Sequence, residues 1–164
     1  MKRLWAPWRM EYVSSVGEDG GSGGECIFCV AVKNDPDESL LLHKGKHSTV
    51  LLNKFPYNTA HVLISPIRHT AEVESLSVEE SEETLRLIQH TVKVIKKELA
   101  PDGFNIGMNL GGSAGAGIAD HLHWHVVPRW SGDTNFMPVL DDVRVMPEHI
   151  KSTLARLRPH FIDI

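Results

Sequence analysis

The chain has 164 residues, 41% hydrophobic and 23% charged, a composition that supports one folded domain and excludes global disorder. Its formal net charge of −4 argues against broad nucleic-acid binding, although a local anion pocket remains compatible with it. No apolar run reaches the roughly 18 residues a membrane helix needs, and no leader-like segment opens the chain, so a cytoplasmic protein without a membrane partner is expected.

In chain order, Leu4 to Tyr12 is rich in large aromatics without a clear period, and Gly17 to Gly24 is a glycine-rich tether. Residues 1–24 are therefore expected to form an arm and tether, and residues 25–164 a single domain. Leu40 to His43 and Ser48 to Asn53 read as strands around a turn at Lys44-Gly45-Lys46. Pro56 to Thr59 breaks the chain, and His61 to Ser65 is the next strand, stopped by Pro66. Ser77 and Glu80 form a capping box, after which Leu85, Ile88, Val92, Ile95 and Leu99 follow at helical spacing. Pro101-Asp102-Gly103 ends that helix. Phe104 to Asn109 and Leu122 to Val127 read as two more strands, joined through the loop Gly111 to Gly117, and a weaker helix is expected over Pro147 to Leu157. Strands around one strong helix indicate an α+β domain with an antiparallel sheet.

Ten histidines are the compositional anomaly, and three of them fall in His121-Leu122-His123-Trp124-His125-Val126-Val127. On a strand, side chains alternate faces, so His121, His123 and His125 share one face and Leu122, Trp124 and Val126 the other. Two chemistries compete for the imidazole face. A metal is one, because His is a common ligand; but residues i and i+4 lie about 13 Å apart on a strand, too far to share one ion. Nucleophilic catalysis by one imidazole, oriented by its neighbours, is the other. A neutral imidazole can attack phosphorus and leave again, and a flanking His can protonate the leaving group. The glycine-rich stretch from Asn109 to Gly117, just upstream, would let backbone N–H groups approach a phosphate.

Cys26 and Cys29 have zinc-knuckle spacing, and no other Cys exists to complete a tetrahedral site. His43, His47, His61, His69 and the triple-histidine stretch are the candidate partners. A redox pair is the rival, disfavoured because no clear helix start follows, and two buried core thiols are a further alternative. A site with four protein ligands would be structural.

The stretch from His121 to Val127 resembles the histidine triad motif, and Asn53 to Leu63 resembles the upstream strand and turn of the same superfamily. Leu4 to Arg9, Gly115 to Asp120 and Gly132 to Pro138 are similar to a bacterial branch whose members resemble diadenosine tetraphosphate phosphorylases. The resemblance implies a HIT-like five-stranded antiparallel sheet with one long and one shorter helix, extended across a homodimer. It implies that His123 attacks the α-phosphate of a purine nucleotide or dinucleoside polyphosphate, and that His125 contacts the phosphates and the leaving oxygen. It places Asn53 on the ribose, and His61, Asn109 and the backbone of Gly115, Ala116 and Gly117 around the phosphates. Ser113 offers a hydroxyl to a second anion. Zinc-bearing relatives imply Cys26, Cys29, His69 and His121 as ligands of a structural Zn2+. The loop before the triad is one residue longer than in common triad proteins and lacks their glutamine. This points away from hydrolysis by water and toward inorganic phosphate as acceptor. A water-using nucleotide hydrolase or phosphoramidase and a non-catalytic nucleotide-binding module are the alternatives.

Overall fold

The structure, a computed structural model, describes residues 25–133, 148–162 and 164. The aromatic arm and tether, and Thr134 to Pro138 of the tail motif, lie outside the described residues. The elements run α1 (Ile27–Ala31), β1 (Leu41–Lys44), β2 (Ser48–Leu52), β3 (Val62–Pro66), α2 (Val78–Leu99), β4 (Gly103–Gly107), β5 (Trp124–Arg129) and α3 (Ile150–Leu157). The five strands form one sheet in the order β1-β2-β3-β5-β4, and every neighbouring pair is antiparallel. This is the α+β architecture expected from the pattern.

The two faces of the sheet carry different work. Leu42, Val50, Leu52, Val62, Ile64 and Val126 point to one side, where Leu87, Ile88, Val94 and Ile95 of α2 and Leu154 and Leu157 of α3 cover them. Burial of such side chains contributes about 1.5–3 kcal/mol each, so this layer carries most of the apolar stabilisation. Leu41, Leu51 and Leu63 face the other side, where among the described residues Phe28 and Ala31 of the short α1 cover them, with Cys26 and Ile118 packed alongside. His125 pairs directly with Leu63 across β3 and β5, which puts it on this thinly covered face.

α2 begins where the capping box requires. Ser77 accepts from the Glu80 N–H, and the Glu80 carboxylate accepts from the Ser77 N–H. The same carboxylate takes both Arg68 Nε and a second guanidinium nitrogen at 2.9 Å. The Arg68 hydrogen bond holds the Glu80 pKa down at about 2. This fork ties the end of β3 to the start of α2, and it anchors the residue next to His69.

Three readings need correction. A one-turn helix does follow Cys26, so the missing helix start was not an argument about the cysteine pair. Pro66 does not stop β3 but is its last residue, opposite Ser48, where its lack of an N–H costs no ladder bond beyond the strand end. β5 begins at Trp124, so His121 and His123 lie on the segment that leads into the strand. That segment is held from outside the sheet, by the Leu122 N–H on the Thr70 carbonyl at 2.7 Å.

Candidate active site

The bond from Leu122 to Thr70 brings two distant segments side by side, and with them His121 and His69, whose ring centroids are 4.9 Å apart. α1 supplies the thiols. Cys26 Sγ lies 3.2 Å from His121 Nδ1, Cys29 Sγ 3.3 Å from His69 Nδ1 and 3.7 Å from His121 Nδ1. One donor atom from each of Cys26, Cys29, His69 and His121 falls within a 4.8 Å cluster. A tetrahedral zinc site, with bonds near 2.3 Å to sulfur and 2.0 Å to nitrogen, needs sulfur and nitrogen about 3.6 Å apart, so the donor set fits that ion. His121 Nε2–H donates to the Pro66 carbonyl at 2.8 Å, which leaves Nδ1 as the lone-pair nitrogen facing the thiols. Burial pushes the Cys29 thiol pKa up, and neighbouring Cys26 adds to the rise. A cation at the cluster would oppose both effects.

His121 also reaches toward the triad's centre. The carbonyl of His121 accepts the His123 Nδ1–H at 2.9 Å, so the lone pair of His123 sits on Nε2. His123 is buried, and burial lowers its pKa below the ordinary 6.5, which keeps the imidazole neutral at pH 7. Phe28 packs between the two histidines, its ring centroid 5.0 Å from each. Beyond His123 stands His125, with ring centroids 4.9 Å apart. His61, fully buried, places Nε2 2.9 Å from His125 Nδ1. Tyr57 lies over His61 and His125, at centroid distances of 4.6 and 5.7 Å. The arrangement is a continuous train of rings with the neutral imidazole of His123 in its middle.

The remaining expected residues divide. Asn53 joins the train, its amide nitrogen 3.2 Å from His61 Nδ1 and its carbonyl accepting from the Phe55 N–H. Asn109 is partly buried and donates to the Gly115 carbonyl at 3.1 Å. Gly111 and Gly115 take positive φ values of 76° and 87°, a region that glycine enters without steric cost. The loop closes on itself, however. The N–H groups of Gly115 and Ala116 bond to the carbonyls of Gly112 and Gly111, so in this conformation they do not point at a ligand. Ser113 is exposed and Gly117 partly buried. A cavity of about 340 Å³ is lined by Asn53 and His61 together with Ile150 and Thr153 of α3, and by neither Phe28 nor His123. Phe28 and Tyr57 were missed by sequence reasoning. Phe28 could have been found as the aromatic between two candidate ligands, whereas nothing in the spacing marks Tyr57.

Residues 35–132 match the HIT domain family model. The chain is 39% identical over 157 residues to the AP-4-A phosphorylase of Mycobacterium tuberculosis, covering 93% of this chain and 80% of that one. It is 30% identical over 127 residues to the adenosine 5'-monophosphoramidase of Schizosaccharomyces pombe, covering 77% of this chain and 91% of that one. Among solved structures, a Zn-bound histidine triad family protein from Mycobacterium smegmatis superposes with a TM-score of 0.66 at 23% identity, over 83% of this chain and 92% of that one.

Proposed function

The chain belongs to the HIT domain family, and from that premise we propose that it cleaves dinucleoside polyphosphates, diadenosine tetraphosphate above all, by nucleotidyl transfer to His123 and then to inorganic phosphate, yielding ADP and ATP. The observation that carries this reading is the hydrogen bond from His123 Nδ1–H to the His121 carbonyl, which leaves a neutral Nε2 as nucleophile. The likeness to a phosphorylase over nearly the whole chain supports phosphate as acceptor.

In the first half-reaction Nε2 of His123 attacks the α-phosphorus, and ATP leaves from a diadenosine tetraphosphate. In the second, phosphate attacks the nucleotidyl-histidine and releases ADP. Asn53 binds the ribose, and His125 contacts the phosphates and the leaving oxygen. Asn109, Ser113 and the loop from Gly115 to Gly117 serve the phosphates once the loop opens its internal bonds. His61 acts from behind, through His125.

Cys26, Cys29, His69 and His121 would hold one zinc ion, which when bound supplies a structural cross-link between α1, the end of β3 and the triad. The edge strand β4, with Ile106 48% exposed, is where a second copy would extend the sheet into a homodimer. The test is product identification from diadenosine tetraphosphate with and without phosphate. Acceleration by phosphate with ADP plus ATP as products supports the reading. AMP plus ATP at a rate indifferent to phosphate assigns the chain to water-using hydrolysis instead.

A further inference from the structure

The hydrogen bonds behind His125 fix the position of its proton. The backbone N–H of Tyr57 can only donate, and it points at His61 Nδ1 from 3.0 Å. The Asn53 amide nitrogen approaches the same ring nitrogen at 3.2 Å. Nδ1 of His61 therefore holds a lone pair, and the ring's proton is on Nε2. That nitrogen lies 2.9 Å from His125 Nδ1, which must accept. His125 then carries its own proton on Nε2 and is neutral. The loop that sets this order is itself pinned, because the Asn58 amide donates to the Pro128 carbonyl and to Asp133.

Resting on the reading of His123 as nucleophile, we propose that His125 serves nucleotidyl transfer as a neutral hydrogen-bond donor that keeps its proton, rather than as a general acid. As the P–N bond to His123 forms, the P–O bond to the leaving group breaks and its electron pair goes to the departing oxygen. His125 Nε2–H stabilises that charge by a hydrogen bond. Giving the proton away would leave an imidazolate, because His61 cannot replace it: the His61 Nδ1 is locked under an amide N–H that does not transfer. The site thus suits phosphate anhydrides, whose leaving group departs as a stable anion. The Tyr57 ring stacks on His125 at a centroid distance of 5.7 Å, inclined by 23°.

The experiment compares His125→Gln, whose amide N–H reaches the place of Nε2, with His125→Ala. Single-turnover formation of adenylyl-His123 is measured from diadenosine tetraphosphate and from the p-nitrophenyl ester of AMP, whose leaving group needs no proton. A neutral donor predicts that His125→Gln stays within about tenfold of wild type on diadenosine tetraphosphate, while His125→Ala falls about 100-fold or more. The proposal is overturned if His125→Gln falls as far as His125→Ala on diadenosine tetraphosphate, whether or not the ester rescues it. A second measurement needs no variant: long-range 1H–15N spectra of the wild-type protein should show His61 and His125 as Nε2–H tautomers, and a proton on Nδ1 of either ring overturns the assignment. Wild-type protein that forms no adduct from either substrate refutes the nucleophile reading itself, and this proposal with it.

Discussion

His123 hangs from the backbone of His121: its Nδ1–H donates to the His121 carbonyl at 2.9 Å, while the side chain of His121 turns away to the thiols of α1. One residue therefore faces the cysteine cluster with its ring and sets the tautomer of His123 with its main chain. Substitution of the side chain and displacement of the backbone are separable perturbations.

Replacing His123 with Ala is expected to abolish turnover while nucleotide affinity changes by no more than about tenfold, or about 1.4 kcal/mol. The proposed ribose and phosphate contacts lie elsewhere, so binding is not expected to depend on this ring. Mass spectrometry of wild-type protein quenched during turnover should find a nucleotidyl group on His123. An active His123→Ala protein would refute the mechanism.

The sulfur–nitrogen cluster is expected to bind one zinc per chain, checked by elemental analysis of protein purified without chelators. Binding at such sites is worth on the order of 10 kcal/mol and is coupled to folding. Cys29→Ser should therefore lower the melting temperature and the zinc content together. Unchanged stability after complete chelation would contradict the assignment.

Acid should weaken the fork between Arg68 and Glu80. The folded pKa of Glu80 is depressed to about 2, chiefly by the Arg68 hydrogen bond, from an ordinary 4.5. A depressed carboxylate contributes stability that is fully present above the unfolded pKa and is lost as pH falls from about 4.5 through 2. Arg68 is half exposed, so solvent screening trims the contribution well below what the shift alone implies. Urea denaturation at pH 7, 5, 4 and 3 should show Glu80→Gln less stable than wild type at neutral pH, with the gap closing in acid. A gap that stays constant with pH would show that the pair contributes through packing alone.

Ala100 ends α2 in the left-handed conformation, at φ 45° and ψ 53°, where a Cβ is unfavourable. Ala100→Gly is expected to stabilise the fold by about 0.5–1 kcal/mol, seen as a rise in the denaturation midpoint at constant slope. A fall in the midpoint would show that the Ala100 methyl packs usefully.

The sequence was legible where local physics decides. The Ser77–Glu80 cap and the helical spacing from Leu85 to Leu99 placed α2, and strand alternation separated His125 from Trp124 and Val126, although His121 and His123 precede the strand. It was illegible where long-range contacts decide. Nothing local shows that Thr70 holds Leu122, so the late start of β5 could not be read, nor from spacing alone could the choice of His69 over His43 or His47. The resemblance, rather than the residue pattern, singled out His69 and His121. The self-bonded loop at Gly111 to Ala116 was likewise hidden, because glycine content reports conformational freedom and not the conformation taken.

The donors that converge on His121 lie up to 95 residues away along the chain. During synthesis the thiols emerge early, His69 later, and His121 only after α2 and β4 have been made. Pairings this remote close slowly, because the ordering entropy falls due before the contacts that offset it. With the zinc site as proposed, Cys26 and Cys29 leave the ribosome before His69 and His121, so the donor set is complete only late in synthesis. His123, whose ring hangs from the His121 carbonyl, takes its place only once these remote segments have met.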